Sequence, residues 1–319
     1  MSLLVLNSAN RISQGLIKSL HQSAKFERIL CADIYPSYSV HQKWFTFLED
    51  LSSTSKTQIA DMKIEDRSDL VRALGLSSHV LFVTHDYYEL VFSKLTMVVN
   101  AAKLAREAKI KKFVSLSPVE HYHYGETNPF AVQTQAEADA RKANENVVTI
   151  QSDLVFGNYG TVVNQLLTRI ANGKKLHLSP STQKVSPIHG DNLAELVEAV
   201  LTGDVNSQAL VAKGNESLNW NEIVNALQQS LGTKVEVSGG SFLSSPLQNN
   251  ILSEMCFQPC YRNLAQFVNK YESPQGQIDS KFNLNLKSFK QTYGESNLRK
   301  EDFTKKCSNS ECALKWLFG

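Results

Sequence analysis

Short apolar runs alternate with longer segments of helical spacing over the first two thirds of the chain. Residues 3–6, Leu-Leu-Val-Leu, predict a buried strand. Residues 14–23 predict a helix, with Ile12, Leu16, Ile17 and Leu20 on one side. Residues 28–32 predict a second strand, which ends on Asp33. The same alternation continues with strands over 58–61, 79–84, 112–117 and 147–151. Helices are predicted over 65–74, 92–108 and 134–144, the second with Leu95, Val98, Val99, Ala102 and Ala105 inward. Strands separated by helices predict an α/β fold with a doubly wound parallel sheet.

Beyond residue 151 the rhythm loosens. Helices are predicted over 162–171, 192–201 (with Asp191 as N-cap) and 221–231, with a strand over 208–212. A Gly/Ser-rich loop covers 238–246, and the pattern degrades after Asn283. The expected division is a sheet domain over 1–232, its substrate-lobe elements starting near 158, and a smaller irregular lobe with an extended tail over 233–319. From Gly294 the chain is polar and charged, then ends on Trp316-Leu317-Phe318. That knob predicts a tail that leaves the body and docks on another subunit, or else folds back onto the chain's own surface.

The first strand–turn–helix–strand, closed by an acid about twenty residues after the turn, follows the plan of a dinucleotide-binding βαβ unit. The glycines of that plan are absent. At their positions stand Asn7, Asn10 and Ser13. Asn tolerates positive φ best among non-glycine residues, and Ser is small enough for close helix–strand packing, so the loop shape is expected to survive. Side chains are then expected where phosphate oxygens would sit. The candidate nucleotide residues are Asn7, Ala9, Asn10, Arg11 and Ile12 in the turn, Asp33 for the ribose hydroxyls, and Asp61 near the adenine. Asp33 would favour NAD(H) over NADP(H) by repelling a 2′-phosphate; its alternative is a plain strand-end acid. Asp61 reads equally as a capping or turn acid.

Composition adds boundaries. With 319 residues, 42% hydrophobic and 20% charged, the chain is an ordinary globular size and balance. A net charge of +2 gives no sign of a nucleic-acid binder. No apolar run reaches the roughly 18 residues of a membrane span, so any membrane link is expected to be peripheral. Cys31, Cys256, Cys260, Cys307 and Cys312 are odd in number and loosely spaced, which predicts free thiols rather than a disulfide framework or zinc site. His121 and His123 read as surface rather than metal ligands, and Tyr35, Tyr38, Trp44, Phe45 and Phe47 as a satellite core or docking patch. Residues 1–26 carry Arg11, Lys18, Lys25 and five serines, with no acid before Glu27. That start resembles a mitochondrial targeting segment, uncleaved because the first strand begins at Leu3, or is simply the first βα unit.

Several ordered stretches resemble the extended or atypical short-chain dehydrogenase/reductase (SDR) family. Residues 100–117 resemble its helix and strand ending in serine, here Ser117. Ala136-Glu137-Ala138-Asp139 resembles the helix after its active-site lysine, and Leu154-Val155-Phe156-Gly157 the segment after strand six. Residues 185–194, with Pro187, His189 and Asp191, resemble its P-x-H/Y-V-x-D-x-A segment. The resemblance implies a Rossmann fold, a nucleotide pocket and Ser117 as a site residue.

The family's acid/base pair is Tyr-x3-Lys, in which the lysine tunes the tyrosine. Its positions here are Ala131 and Gln135, or Phe130 and Thr134, depending on register. Neither register supplies either residue. The Arg-Pro that usually precedes the Val-Phe-Gly segment is Gln151-Ser152. Loss of the glycines and of this pair together suggests no enzyme activity. The resemblance then points to non-catalytic members, most of all the SDR-fold accessory subunit of mitochondrial respiratory complex I. Its implied partners are the other subunits of a large membrane complex, on the matrix side of the inner membrane. NAD(H) or NADP(H) would be a weak structural ligand. The alternatives are an atypical SDR oxidoreductase using other residues, and an NmrA-like nucleotide sensor.

Overall fold

The computed structural model describes residues 1–8, 11–32, 51, 56–60, 62, 66–84, 91–118, 129–157, 160–177, 184–206, 208–238, 278, 282–294 and 297–304. Seven strands form the main sheet: β1 (Ser2–Leu6), β2 (Arg28–Ala32), β3 (Thr57–Ile59), β4 (His79–Val83), β5 (Lys112–Pro118), β6 (Val147–Ser152) and β7 (Ala209–Ala212). Their order is β7-β6-β5-β4-β1-β2-β3, and every pairing is parallel. The chain winds outward from β1 one way through β2 and β3, then the other way through β4 to β7. The reversal lies between β1 and β4, where open α/β sheets bind ligands at the carboxyl ends of the strands.

The connecting helices are α1 (Arg11–Gln22), α2 (Arg67–Gly75), α3 (Val91–Glu107) and α4 (Pro129–Ala143). They are followed by α5 (Thr161–Ala171), α6 (Gly190–Thr202), α7 (Trp220–Ser230) and the short α8 (Phe289–Gly294). Strand alternation decides the layers. Leu3 and Val5 of β1, with Ile29 and Cys31 of β2, face α1 and α6. Leu4 and Leu6, with Leu30 and Ala32, face α2, α3 and α4. Both faces of the sheet are therefore buried, as a parallel sheet requires. Ile12, Leu16, Ile17 and Leu20 of α1 are all buried, contributing on the order of 1.5–3 kcal/mol each from burial.

A second apolar cluster lies beyond the sheet. It joins α5 and α7 to α8 through Phe156, Leu166, Trp220, Leu227, Phe289 and Tyr293. The Phe156 and Phe289 rings meet edge-on at 5.1 Å. Two brackets hold the 284–290 segment in place. The Asn192 amide donates to Asn285 O at 2.9 Å and accepts from Lys287 N at 2.9 Å. The Glu216 carboxylate accepts from the amides of Phe289 and Lys290.

Some expected boundaries move, for reasons of capping. Helix α2 starts after Asp66, whose carboxylate accepts from Ser68 N at 2.8 Å and Asp69 N at 3.1 Å. His189, not Asp191, caps α6; its Nδ1 accepts from Asp191 N at 3.1 Å, and Asp191 lies inside the first turn. Helix α7 carries a full capping box between Asn219 and Glu222. The described part of the tail stays on the body: Leu298 N donates to Ser230 O at 2.8 Å, and Asn172 Nδ2 donates to Phe303 O at 3.2 Å, so residues 297–304 lie against α5 and α7. Residues 305–319, with the terminal knob, fall outside the described residues, as do Tyr35 to Phe47, His121, His123 and every cysteine but the buried Cys31. Among the described residues no helix is long and apolar enough to cross a membrane.

Candidate functional site

The site is assembled from the residues at the carboxyl ends of β1, β4, β5 and β6, which are neighbours in the sheet. At the end of β1 the chain turns through Asn7, which adopts φ 60, in the left-handed region. The expected substitution of asparagine for glycine is thus what the backbone uses. The side chain, however, does not point where a phosphate would lie. Asn7 is fully buried and donates from Nδ2 to Val83 O at 2.8 Å. Ser8 Oγ donates to Ala32 O at 3.0 Å, and Ser13 Oγ donates to Asn7 O at 2.8 Å; both side chains are fully buried. The three described polar side chains of the turn therefore face inward and are occupied by carbonyls. For Asn7 and Ser13 this departs from the expectation of side chains in the phosphate space, because burial rewards them for bonding carbonyls instead; Asn10, the remaining glycine position, lies outside the described residues.

The other candidate nucleotide residues fare differently. Ile12 is 1% exposed and belongs to the core beneath the sheet, so its side chain is not a ligand contact. Arg11 is the first residue of α1. Ala9, Asn10, Asp33 and Asp61 lie outside the described residues.

The end of β5 carries the densest polar group. Ser117 sits opposite Gln151 of β6 in the strand register, so both side chains leave the same face of the sheet. There they meet Glu137 of α4, which is 1% exposed. Ser117 Oγ donates to Glu137 Oε1, and Gln151 Nε2 donates to Glu137 Oε2 at 2.8 Å. Thr84, just past β4 and half-buried, brings its hydroxyl to 3.3 Å from Ser117 Oγ. Each carboxylate oxygen of Glu137 thus accepts from a neutral donor on the sheet.

Sequence reasoning identified Ser117 but missed Glu137, Gln151 and Thr84. The signal for Glu137 was its phase. It shares the inward face of α4 with the buried Ala136 and Ala140, and an acid at such a position needs partners. The two positions expected to have held the lost lysine are both exposed: Gln135 bonds Asp139 at 2.9 Å, and Thr134 Oγ1 accepts from Gln151 Nε2 at 3.4 Å.

Beyond β6, Asp153 is fully buried and accepts from Ser186 N at 3.0 Å, tying the sheet edge to the 184–189 segment. Ile188 and His189 pair in parallel with Val155 and Phe156. Gly157 follows with φ 89 and donates its amide to Tyr293 Oη at 3.1 Å. A Cβ on Gly157 would lie 2.7 Å from His189 Nε2, so only glycine lets the ring seat there. Burial pushes the pKa of His189 below its ordinary value, with Asp191 pulling the other way. Among the described residues no group of three or more His, Cys, Asp or Glu could hold a metal ion.

No protein-family model matches the chain, and no curated protein does. Solved structures do. One is the dTDP-glucose 4,6-dehydratase of Bacillus anthracis in complex with NAD, with TM-score 0.63 and 16% identity over 76% of this chain and 85% of that one. Another is the UDP-glucuronic acid 4-epimerase of Bacillus cereus in complex with UDP-glucuronic acid and NAD, with TM-score 0.59 and 16% identity over 75% and 86%. The Bordetella bronchiseptica enzyme WbmH in complex with NAD+ gives TM-score 0.65 and 11% identity over 93% and 96%. The fold is thus the SDR-type Rossmann fold, as expected. The expectation of a chain that is not an enzyme is corrected, because these structural relatives are a dehydratase, an epimerase and a third enzyme, each in complex with NAD. That expectation equated loss of Tyr-x3-Lys with loss of proton chemistry; the same helix carries Glu137, which accepts from Ser117 Oγ. The expectation that nucleotide would be only weak and structural has no support in relatives crystallised with NAD.

Proposed function

We propose that this chain is an NAD-dependent oxidoreductase of the extended SDR type that works without the Tyr-x3-Lys pair. Its substrate class would be that of its structural relatives, a nucleotide-linked sugar with an oxidisable hydroxyl. The observation that carries the reading is the turn after β1. Asn7, Ser8 and Ser13 are buried and bond the carbonyls of Val83, Ala32 and Asn7, so none of these three side chains stands out from the turn. That is the service glycines give in the ordinary turn, and the first-turn amides of α1 favour a pyrophosphate there. These residues therefore fit a dinucleotide. The nicotinamide supplies a hydride acceptor or donor when bound. The chain's own contribution is positional: the half-buried Thr84 hydroxyl stands at the end of β4 to orient a substrate oxygen, backed by the buried Ser117 hydroxyl at 3.3 Å on the adjacent strand.

Titration calorimetry with NAD+ and NADP+ tests the first half. Absorbance at the reduced-nicotinamide band, on adding dTDP-glucose, UDP-glucose or UDP-glucuronic acid to the NAD+-loaded protein, together with product analysis, tests the second. Saturable NAD+ binding and conversion of one of these sugars are expected. Absence of binding to either dinucleotide would overturn the reading.

A further inference from the structure

The family's solution to proton transfer is missing, yet a proton must leave or reach the substrate oxygen whenever a hydride moves. The carboxyl end of the sheet offers one connected set of groups for that proton. Thr84 stands half-buried at the end of β4. Its hydroxyl lies 3.3 Å from Ser117 Oγ, and Ser117 in turn donates to Glu137 Oε1. Glu137 is held on the far side by Gln151 at 2.8 Å, and Gln151 also reaches Thr134 Oγ1 at 3.4 Å. Hydroxyls both donate and accept, so a line of two ending on a carboxylate can pass a proton without moving a heavy atom.

We propose that Thr84, Ser117 and Glu137 form a proton relay, with Glu137 as the terminal acid/base in place of the tyrosine and lysine. The inference rests on the oxidoreductase reading above and assigns its proton path. For oxidation of a secondary alcohol, the C–H bond breaks and its electron pair leaves as hydride to oxidised nicotinamide. The O–H proton passes to Thr84 Oγ1, the Thr84 proton to Ser117 Oγ, and the Ser117 proton to Glu137 Oε1. One carboxylate becomes one carboxylic acid, the alcohol becomes a carbonyl, and both hydroxyls are restored. Reduction runs the same path backward. Burial suits Glu137 to this role, since a carboxylate kept from water gives up less solvation on accepting a proton. Gln151 matters by its neutrality. The related segment usually carries arginine there, and a guanidinium against Glu137 would hold it ionised.

The tests use the full chain. Glu137→Gln should lower kcat on the accepted sugar nucleotide about 100-fold or more and remove the acidic limb of its pH profile, while NAD+ binding by calorimetry stays unchanged. Thr84→Val, which keeps shape and loses the hydroxyl, should lower kcat and leave that limb in place. Gln151→Arg should move the limb to lower pH by about a unit or more. Infrared titration of the protein alone should show a protonated-carboxyl band that rises as pH falls and is absent from Glu137→Gln. Loss of NAD+ binding by the wild type refutes the oxidoreductase reading rather than the relay. The relay is overturned if no carboxyl band is lost in Glu137→Gln, or if that variant keeps more than half the wild-type kcat. If Glu137→Gln does not fold, an unmoved limb in Gln151→Arg overturns it equally.

Discussion

Position 7 offers the sharpest test of how this turn works. Asn7 combines a left-handed backbone, φ 60, with a buried side-chain bond to Val83 O at 2.8 Å. Replacement by alanine removes the bond and leaves a Cβ in the left-handed region. The lost bond costs about 1 kcal/mol, and the conformation costs an L-residue about 1–2 kcal/mol. Asn7→Ala should therefore lose about 2–3 kcal/mol of stability. Glycine loses the same bond but carries no penalty for positive φ, so Asn7→Gly should lose only about 1 kcal/mol. The difference between the two variants isolates the backbone. Urea unfolding followed by fluorescence and far-UV circular dichroism gives both numbers, provided the slope with denaturant is shared. Calorimetry with NAD+ adds a second readout, since glycine keeps the turn open to a phosphate. Equal stability of the two variants would refute the argument, because the fold would then not hold residue 7 in the left-handed region.

Two further outcomes follow from the second cluster. Phe289→Ala should destabilise by about 3–5 kcal/mol in thermal or urea unfolding, since the ring is fully buried against Phe156 and Tyr293; a loss under 1 kcal/mol would mean the 284–294 segment is not part of that core. His189 has a pKa lowered by burial, so the unfolded chain takes up its proton first as pH falls: the stability it contributes is full above the unfolded value near 6.5 and is lost as pH drops through the folded value. His189→Asn keeps a cap acceptor for α6 without the titration, so its stability should fall less than wild type between pH 7 and 5; parallel curves would contradict this.

The sheet was legible because its central strands are buried on both faces and therefore read as apolar runs, as Leu3 to Leu6 and Val80 to Val83 do. Asn7 was legible because few residues tolerate positive φ. What escaped was long-range. Nothing local marks His189 as the cap of α6, since Asp191 two residues later is the better cap by type. The sequence places Glu137 in a helix over 134–144, but only the fold sets its face toward Ser117, twenty residues earlier. The stretch after Asn283 shows no period of its own. Its order is borrowed from Asn192, Glu216 and Tyr293's contact with Gly157, none of which is near in sequence.

Those same brackets bear on how the chain is made. Asn192 waits for a partner 93 residues later, and Glu216 for one 73 residues later. During synthesis at about 5–20 residues per second, α5 and α7 emerge well before Phe289 and Tyr293 exist to cover them. The sheet face of α6 is satisfied early, by strands already present, but the second cluster stays an open apolar surface for several seconds. Long loops of this kind close late and slowly. The nascent chain thus passes through a state in which its first domain-sized core is built and its second is exposed to chaperones and to other chains. Sensitivity to expression rate and temperature should accordingly map to α5 and α7, and not to the sheet.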